Sequence, residues 1–126
     1  MQQKVRDVLR SLYQKYGTRD DDITSIPMGC SGVDVVLSPC AKDILNILVE
    51  CKAVEKINLS VVFQKHLEKY RNQEGLKLLV HSRNRVEPVV MLTLNDFAGL
   101  LESYLVLKCQ KPKTNEKNTD PSLTPL

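Results

Sequence analysis

The sequence has 126 residues, of which 42% are apolar and 26% charged, and its formal net charge is +3. This length suits one compact domain, and the apolar content excludes the disordered and collagen-like classes of protein. A charge of +3 permits a nucleic-acid partner without requiring one. The four cysteines contain no CxxC pair, so the sequence does not favour a zinc site and we expect reduced thiols.

The N-terminal segment mixes charged and apolar residues throughout. It lacks the run of about 7–15 apolar residues that a signal peptide needs, and it lacks the longer run of a membrane anchor. We therefore expect a cytoplasmic protein that has no membrane partner.

The periodicity of apolar residues predicts three helices and five strands. In chain order these are a helix at 4–16 ended by Gly17, strands at 23–28, 33–37 and 44–53, a helix begun by Asn58 or Ser60 and stopped by Gly75, strands at 76–81 and 88–94, and a helix from 95. The order is α-β-β-β-α-β-β-α. A strand, a helix and another strand in succession imply parallel pairing, so we expect an α/β fold with a central mixed β-sheet flanked by helices.

Composition divides the chain near its C-terminal end. Residues 109–126 hold three of the six prolines and no periodic apolar face. We therefore predict one domain over residues 1–108 and a disordered C-terminal tail over 109–126.

The strands 33–37 and 44–53 are predicted to form a β-hairpin through a turn at 38–43. Alternation puts Glu50 and Lys52 at one end of one face of the second strand. A symmetric turn centred near Ala41 places Asp34 opposite Leu48 or Glu50, on that same face.

Two carboxylates on one face of adjacent strands lie about 4.5–8 Å apart, close enough to share a cation. Oxygen donors suit Mg²⁺ or Mn²⁺, and Lys52 beside them could orient a water or stabilise charge on a phosphate. The competing interpretation is a solvated Glu50–Lys52 pair and a turn-side Asp34. It is disfavoured because an aspartate between two valines is a poor strand residue unless its charge is needed.

Asp34 followed by Glu50-x-Lys52 across a hairpin resembles the PD-(D/E)xK nuclease superfamily. Over residues 2–105 the order of elements resembles the archaeal-type Holliday junction resolvases. The resemblance implies a restriction-endonuclease-like fold. It also implies a metal held by Asp34, Glu50 and the main-chain carbonyl of Cys51, with Lys52 serving the attacking water.

Further residues are assigned by the same resemblance. Gln64 matches a glutamine that lies near the water or the phosphate, and Ser31 either contacts a phosphate or belongs to a plain turn. Val33 replaces the motif's proline, as is common in the superfamily. Resolvases carry a glutamate on the first helix, where this chain offers only Asp7, so a contribution from Asp7 stays open.

Among the basic residues, Lys56 and Lys65 lie nearest the motif in sequence and are predicted to contact the DNA backbone. His66 shares a helix face with Phe63 and Tyr70, so a packed or hydrogen-bonded histidine is expected there rather than a base or a metal ligand.

The function predicted from these features is that of a magnesium-dependent (or manganese-dependent) endodeoxyribonuclease. The resemblance implies a structure-selective, Holliday junction resolvase-like enzyme of DNA recombination and repair. It would cut branched or four-way junctions as a homodimer, since two symmetric cuts need two sites. Two alternatives remain: a small restriction-like or homing endonuclease of the same fold, and a catalytically silent, nuclease-derived DNA-binding or assembly protein.

Overall fold

The computed structural model of the chain describes residues 1–27 and 32–110. They contain α1 (Gln2–Tyr13), β1 (Ile23–Ser25), β2 (Val35–Leu37), α2 (Pro39–Ile44), β3 (Ile47–Ala53), α3 (Leu59–Lys69), β4 (Leu76–Arg83), β5 (Val86–Met91) and α4 (Leu94–Cys109), with short 3₁₀ turns at Gln14–Tyr16 and Asp20–Asp22.

The chain divides into two compact units. The first spans Met1–Leu92 and the second begins at Thr93, whose hydroxyl accepts a hydrogen bond from the Asp96 amide at the start of α4. The predicted domain over 1–108 stays a prediction. Of the predicted tail, residues 111–126 lie outside the described residues.

The first unit is built on a five-stranded sheet with the order β1-β2-β3-β4-β5. Pairing is antiparallel except between β3 and β4, which are parallel because α3 returns the chain between them. The expected α/β class with a mixed sheet flanked by helices is confirmed.

α1 packs on one face of this sheet. Its Tyr13 joins a buried cluster that includes Ile23, Val35 and Val49, and burial of each such side chain contributes about 1.5–3 kcal/mol. The Tyr13 hydroxyl donates to the carbonyl oxygen of Leu45 at 2.7 Å. Because Val35 and Val49 point toward α1, the residues next to them in β2 and β3 point to the opposite face.

α3 lies on that opposite face. Asn58, one of the two predicted caps, precedes its first residue, and its side chain accepts a hydrogen bond from the Val61 amide at 3.2 Å. Phe63 and His66 are the buried side chains of the helix, and Tyr70, which follows the helix directly, is buried as well. This arrangement brings the helix over the face of β3 that carries Glu50.

The predicted turn at 38–43 is wrong, because these residues form the helix α2. Ser38 caps it by accepting a hydrogen bond from the Ala41 amide, and Pro39 occupies the first turn, where its missing N–H costs nothing. The predicted order α-β-β-β-α-β-β-α is corrected accordingly, since a helix interrupts the second strand connection. β2 and β3 are nevertheless antiparallel neighbours.

Gly75 does not stop α3, which ends at Lys69. It has a φ of +128° in the turn before β4, and a Cβ there would lie 3.2 Å from the carbonyl oxygen and side chain of Asn46. The same Asn46 carbonyl accepts the Leu76 amide at 2.9 Å. Glycine is therefore required by a positive φ and a close approach where the parallel pair begins. Gly17, by contrast, follows the helical segment in a left-handed conformation, as predicted.

Asp22 links the segment between α1 and β1 to the start of α2. Its carboxylate accepts hydrogen bonds from the Arg19 amide and the Ser38 hydroxyl, each at 2.7 Å. The bond from the Arg19 amide, followed by that from Ser38, lowers the pKa of Asp22 below its usual range.

We expect Asp22→Asn to unfold at lower urea concentration than the wild type at pH 7. The folded state favours the ionised carboxylate, so its contribution is present above the unfolded pKa of about 3.9 and disappears as the pH falls through the folded value. The difference in unfolding free energy between the wild type and Asp22→Asn should therefore become smaller below about pH 4. Asp21→Asn changes the same charge at an exposed neighbour. An equal loss in both variants at pH 7 would contradict the role of the two hydrogen bonds.

None of the helices in residues 1–27 and 32–110 combines the length and the apolar character needed to cross a membrane.

Candidate active site

The register between β2 and β3 decides which residue lies beside Asp34. Val35 pairs with Val49, so Asp34, one residue earlier, lies beside Glu50 one residue later. Of the two partners left open by the sequence, Leu48 and Glu50, the register selects Glu50. Both carboxylates belong to the sheet face that α3 covers.

The Asp34 carboxylate acts as the hydrogen-bond acceptor for a β3 amide that has no main-chain partner in β2. Its Oδ2 accepts a hydrogen bond from the Cys51 amide at 2.6 Å, just past the point where the β2–β3 ladder ends. Burial raises the pKa of Asp34 above its usual range, the Cys51 bond opposes that shift, and the charge of Glu50 adds to it. A carboxylate that repels its neighbour is a suitable place for a cation.

Glu50 lies between two cation-forming side chains. Its Oε2 is 3.4 Å from Lys52 Nζ, and its Oε1 is 3.8 Å from His66 Nδ1. The side chain of Lys52 is 38% exposed and that of Glu50 21%, whereas His66 is 1% exposed. The site is thus open on the Lys52 side and closed on the α3 side.

His66 is buried and hydrogen-bonded, as expected, with its Nε2 3.1 Å from the carbonyl oxygen of Leu48. Tyr70 packs edge-on against its ring, with ring centroids 5.2 Å apart. Within the described residues, His66 Nδ1 and the Tyr70 hydroxyl are buried without a hydrogen-bond partner. The sequence located the buried helix face correctly but did not indicate that His66 would meet Glu50.

The thiol and the main-chain carbonyl of Cys51 differ in whether they can bind a metal. Burial, and then the charge of Asp34, raise the pKa of its thiol to about 12, so the sulfur stays protonated and is not a thiolate ligand. The N–H and C=O of one strand residue point to the same side, so the Cys51 carbonyl shares the strand edge that meets Asp34.

A divalent cation fits this donor set. Asp34 and Glu50 are adjacent carboxylates, the Cys51 carbonyl adds a third oxygen, and such hard donors match Mg²⁺ or Mn²⁺. In the described ranges, no three or more His, Cys, Asp or Glu side chains are grouped to hold a metal. The predicted centre therefore has two carboxylates and a main-chain oxygen, which leaves other positions for water.

The remaining predicted residues lie apart from the carboxylates. Gln64 and Lys65 share the outer, exposed face of α3 with Ser60 and Glu68. Lys56 is exposed in the β3–α3 connection. Across the part of the chain that is described, no hydrogen bond joins Gln64 to the carboxylates, and its role stays a prediction.

Ser31 and Asp7 are the other two residues that the resemblance suggested for the site. Ser31 lies outside the described residues. Asp7 forms an ion pair with Arg6 at 2.9 Å on α1, the helix on the other face of the sheet from the carboxylates.

A groove lies at the C-terminal end of β3. It has a volume of about 560 Å³, and its charged lining residues are the basic Lys4, Arg83 and Arg85 and the acidic Glu55 and Glu87. Glu55 at its rim accepts a hydrogen bond from the Asn84 amide, which holds the β4–β5 turn. Ala53, the residue after Lys52 in β3, is part of the groove's lining, so the groove lies at the Lys52 end of that strand.

Comparisons with protein-family models, curated proteins and solved structures found no match to this chain.

Proposed function

We propose that this chain is a divalent-metal-dependent endodeoxyribonuclease of the PD-(D/E)xK type, with a restriction-endonuclease-like fold. One observation carries the proposal: the β2–β3 register places Asp34 beside Glu50, and Lys52 Nζ lies 3.4 Å from Glu50. Acidic residues paired across two strands, with a lysine two residues beyond, suit metal-assisted phosphodiester hydrolysis.

Asp34, Glu50 and the Cys51 carbonyl would hold the metal. When bound, it supplies charge stabilisation at the phosphate and lowers the pKa of a bound water. The cation would also offset the repulsion between the two carboxylates, which adds to the effect of burial in raising the pKa of Asp34.

Lys52 acts on the reacting atoms. Its ammonium, placed by the contact with Glu50, donates a hydrogen bond to the attacking water or to a non-bridging phosphate oxygen. A phosphorus–oxygen bond to the attacking water forms as the bond to the leaving sugar oxygen breaks. The attacking water releases one proton to solvent, and the leaving oxygen takes up one proton from solvent.

The groove lined by Lys4, Arg83 and Arg85 supports DNA as the substrate. Its three cations, at the end of β3 that carries Lys52, could contact phosphates of a bound DNA backbone. Lys56 and Lys65, both exposed, would extend this contact along α3. Contacts of basic side chains with phosphates carry no sequence information directly, so they would suit recognition of DNA shape.

We therefore propose four-way or otherwise branched DNA as the substrate and a homodimer as the active species. Two symmetric cuts in a junction require two sites related by a two-fold axis. Measurement of the solution mass by light scattering tests the dimer independently of activity.

A second candidate is a nuclease-derived DNA-binding or assembly protein without turnover. It is favoured by the engagement of both carboxylates: Asp34 holds the Cys51 amide and Glu50 contacts Lys52. In that case the acidic residues would serve the fold alone.

The test uses the full chain, Mg²⁺ or Mn²⁺, and two substrates of matched length and sequence: a four-way junction and a linear duplex. We expect paired symmetric nicks in the junction that EDTA abolishes. Cutting of linear duplex at a fixed sequence would instead support the restriction-like or homing alternative. Junction binding without cleavage under any divalent metal would support the second candidate.

A further inference from the structure

The tautomer of His66 follows from its partner. Nε2 lies 3.1 Å from the Leu48 carbonyl oxygen, which can only accept a hydrogen bond. Nε2 therefore carries the hydrogen, and in the neutral ring Nδ1 presents a lone pair. Histidines that bind metals commonly donate their other ring N–H to a backbone carbonyl in this way.

Nδ1 lies beside the candidate site. It is buried without a hydrogen-bond partner among the described residues, on a side chain that is 1% exposed. Glu50 Oε1 lies 3.8 Å from it. In the neutral ring, Nδ1 and the Glu50 carboxylate are both electron-rich, and a cation between them removes their repulsion.

We propose that His66 Nδ1 is a metal ligand, so that His66 and Glu50 together bind a transition-metal ion such as Mn²⁺. The proposal rests on the metal-dependent function proposed above and changes the character of its centre. A site with an imidazole ligand favours a transition metal over Mg²⁺, which prefers oxygen donors throughout.

The distance permits this ligation. Two ligand atoms each about 2.1 Å from one ion are about 3.0 Å apart when adjacent and about 4.2 Å apart when opposite. The observed 3.8 Å lies between these two values, so Glu50 Oε1 would have to move by about 0.4–0.8 Å relative to Nδ1 to reach either arrangement. Asp34 lies beside Glu50 in the register, but the described residues hold no group of three His, Cys, Asp or Glu side chains, so the proposed pair is His66 and Glu50 alone.

The ring is also held in place. Leu48 fixes it through Nε2, and Tyr70 packs against it edge-on. A ligand restrained from two sides does not lose conformational freedom when the ion binds.

The experiment measures Mn²⁺ bound to the full chain without DNA. Pulsed electron paramagnetic resonance should show coupling of the Mn²⁺ electron spin to an imidazole nitrogen. Incorporation of ¹⁵N-histidine should change that coupling in the unaltered sequence, which tests the ligand without any substitution.

The matched variants are His66→Gln and His81→Gln. A glutamine at position 66 can still donate to the Leu48 carbonyl but offers no ring nitrogen to the metal, so it should lose the coupling. We expect Mn²⁺ affinity to fall by about 10-fold or more, because even residues that only support a ligand cost 10–100-fold. His81→Gln removes the only other histidine and should retain the coupling.

Each result separates this inference from the proposed function. Bound Mn²⁺ without nitrogen coupling, in a chain that cleaves DNA, overturns the histidine ligand and leaves the nuclease standing. Absence of both metal binding and cleavage overturns both proposals. A coupling that persists in folded His66→Gln also overturns the ligand.

Discussion

Lys52→Ala is expected to lower the rate of DNA cleavage by about 100–1000-fold, the cost of losing one group that stabilises developing negative charge. The Lys52 ammonium is the cation that lies 3.4 Å from Glu50 and remains partly open to solvent. A methyl group in its place can neither orient water nor donate to a phosphate oxygen. The single-turnover rate on a four-way junction, at saturating metal, measures the effect directly.

Two controls identify the cause. Lys15→Ala removes the same charge from an exposed site beyond the end of α1 and should cleave at the wild-type rate. Junction affinity of Lys52→Ala, measured in Ca²⁺, should change only a few-fold, because one phosphate contact contributes little to the total. A cleavage rate within about threefold of wild type would remove Lys52 from the mechanism, since a loss that small is below 1 kcal/mol.

The alternation of residues was sufficient to predict most of the candidate site. Period two along β3 put Glu50 and Lys52 on one face and the apolar Val49 on the other, and the structure has this arrangement. The predicted proximity of Asp34 was also correct, although the turn assumed for it was not. The partner strand was placed correctly because the register depends on which residues the core buries, and Val35 and Val49 belong to that core.

The errors have a common physical origin in local signals that compete. Residues 38–43 contain a serine, a proline and polar residues, which are typical of a turn, yet Ser38 followed by Pro39 is equally a helix start. Gly75 follows the helical pattern and is therefore interpreted as its stop. In the structure it instead allows the close approach to Asn46 at the start of the parallel β3–β4 pair. Only tertiary packing decides between such alternatives.

The contact between His66 and Glu50 shows another limit. Helical periodicity predicts that His66 is buried, because it shares a face with Phe63 and Tyr70. It does not predict the position of α3 along β3, which is set by the connection at 54–58 and by the bond from Nε2 to the Leu48 carbonyl. A long-range polar contact of this kind has no signature in sequence spacing.

Asp34→Asn is expected to separate the two roles of this carboxyl group. The amide oxygen of asparagine can still accept the Cys51 N–H, so the end of the β2–β3 ladder is preserved. The negative charge is lost, and with it the attraction for a divalent cation. We expect cleavage to fall at least about 100-fold, since a direct ligand matters at least as much as the residues that support one. Single-turnover rates and Mn²⁺ titration measure both effects.

Asp34→Ala removes both roles at once. It leaves the Cys51 amide without its partner, which should lower the free energy of unfolding by about 1–3 kcal/mol. Asp34→Asn should lose less stability while losing as much activity, so the two variants differ in urea midpoint and agree in cleavage. If Asp34→Asn instead cleaves like the wild type, the carboxylate serves only the Cys51 amide, and the metal must be held without it. Wild-type stability in Asp34→Ala would mean that the Cys51 amide finds another hydrogen-bond partner. In that case only the negative charge of Asp34 would explain why an aspartate stands between Val33 and Val35.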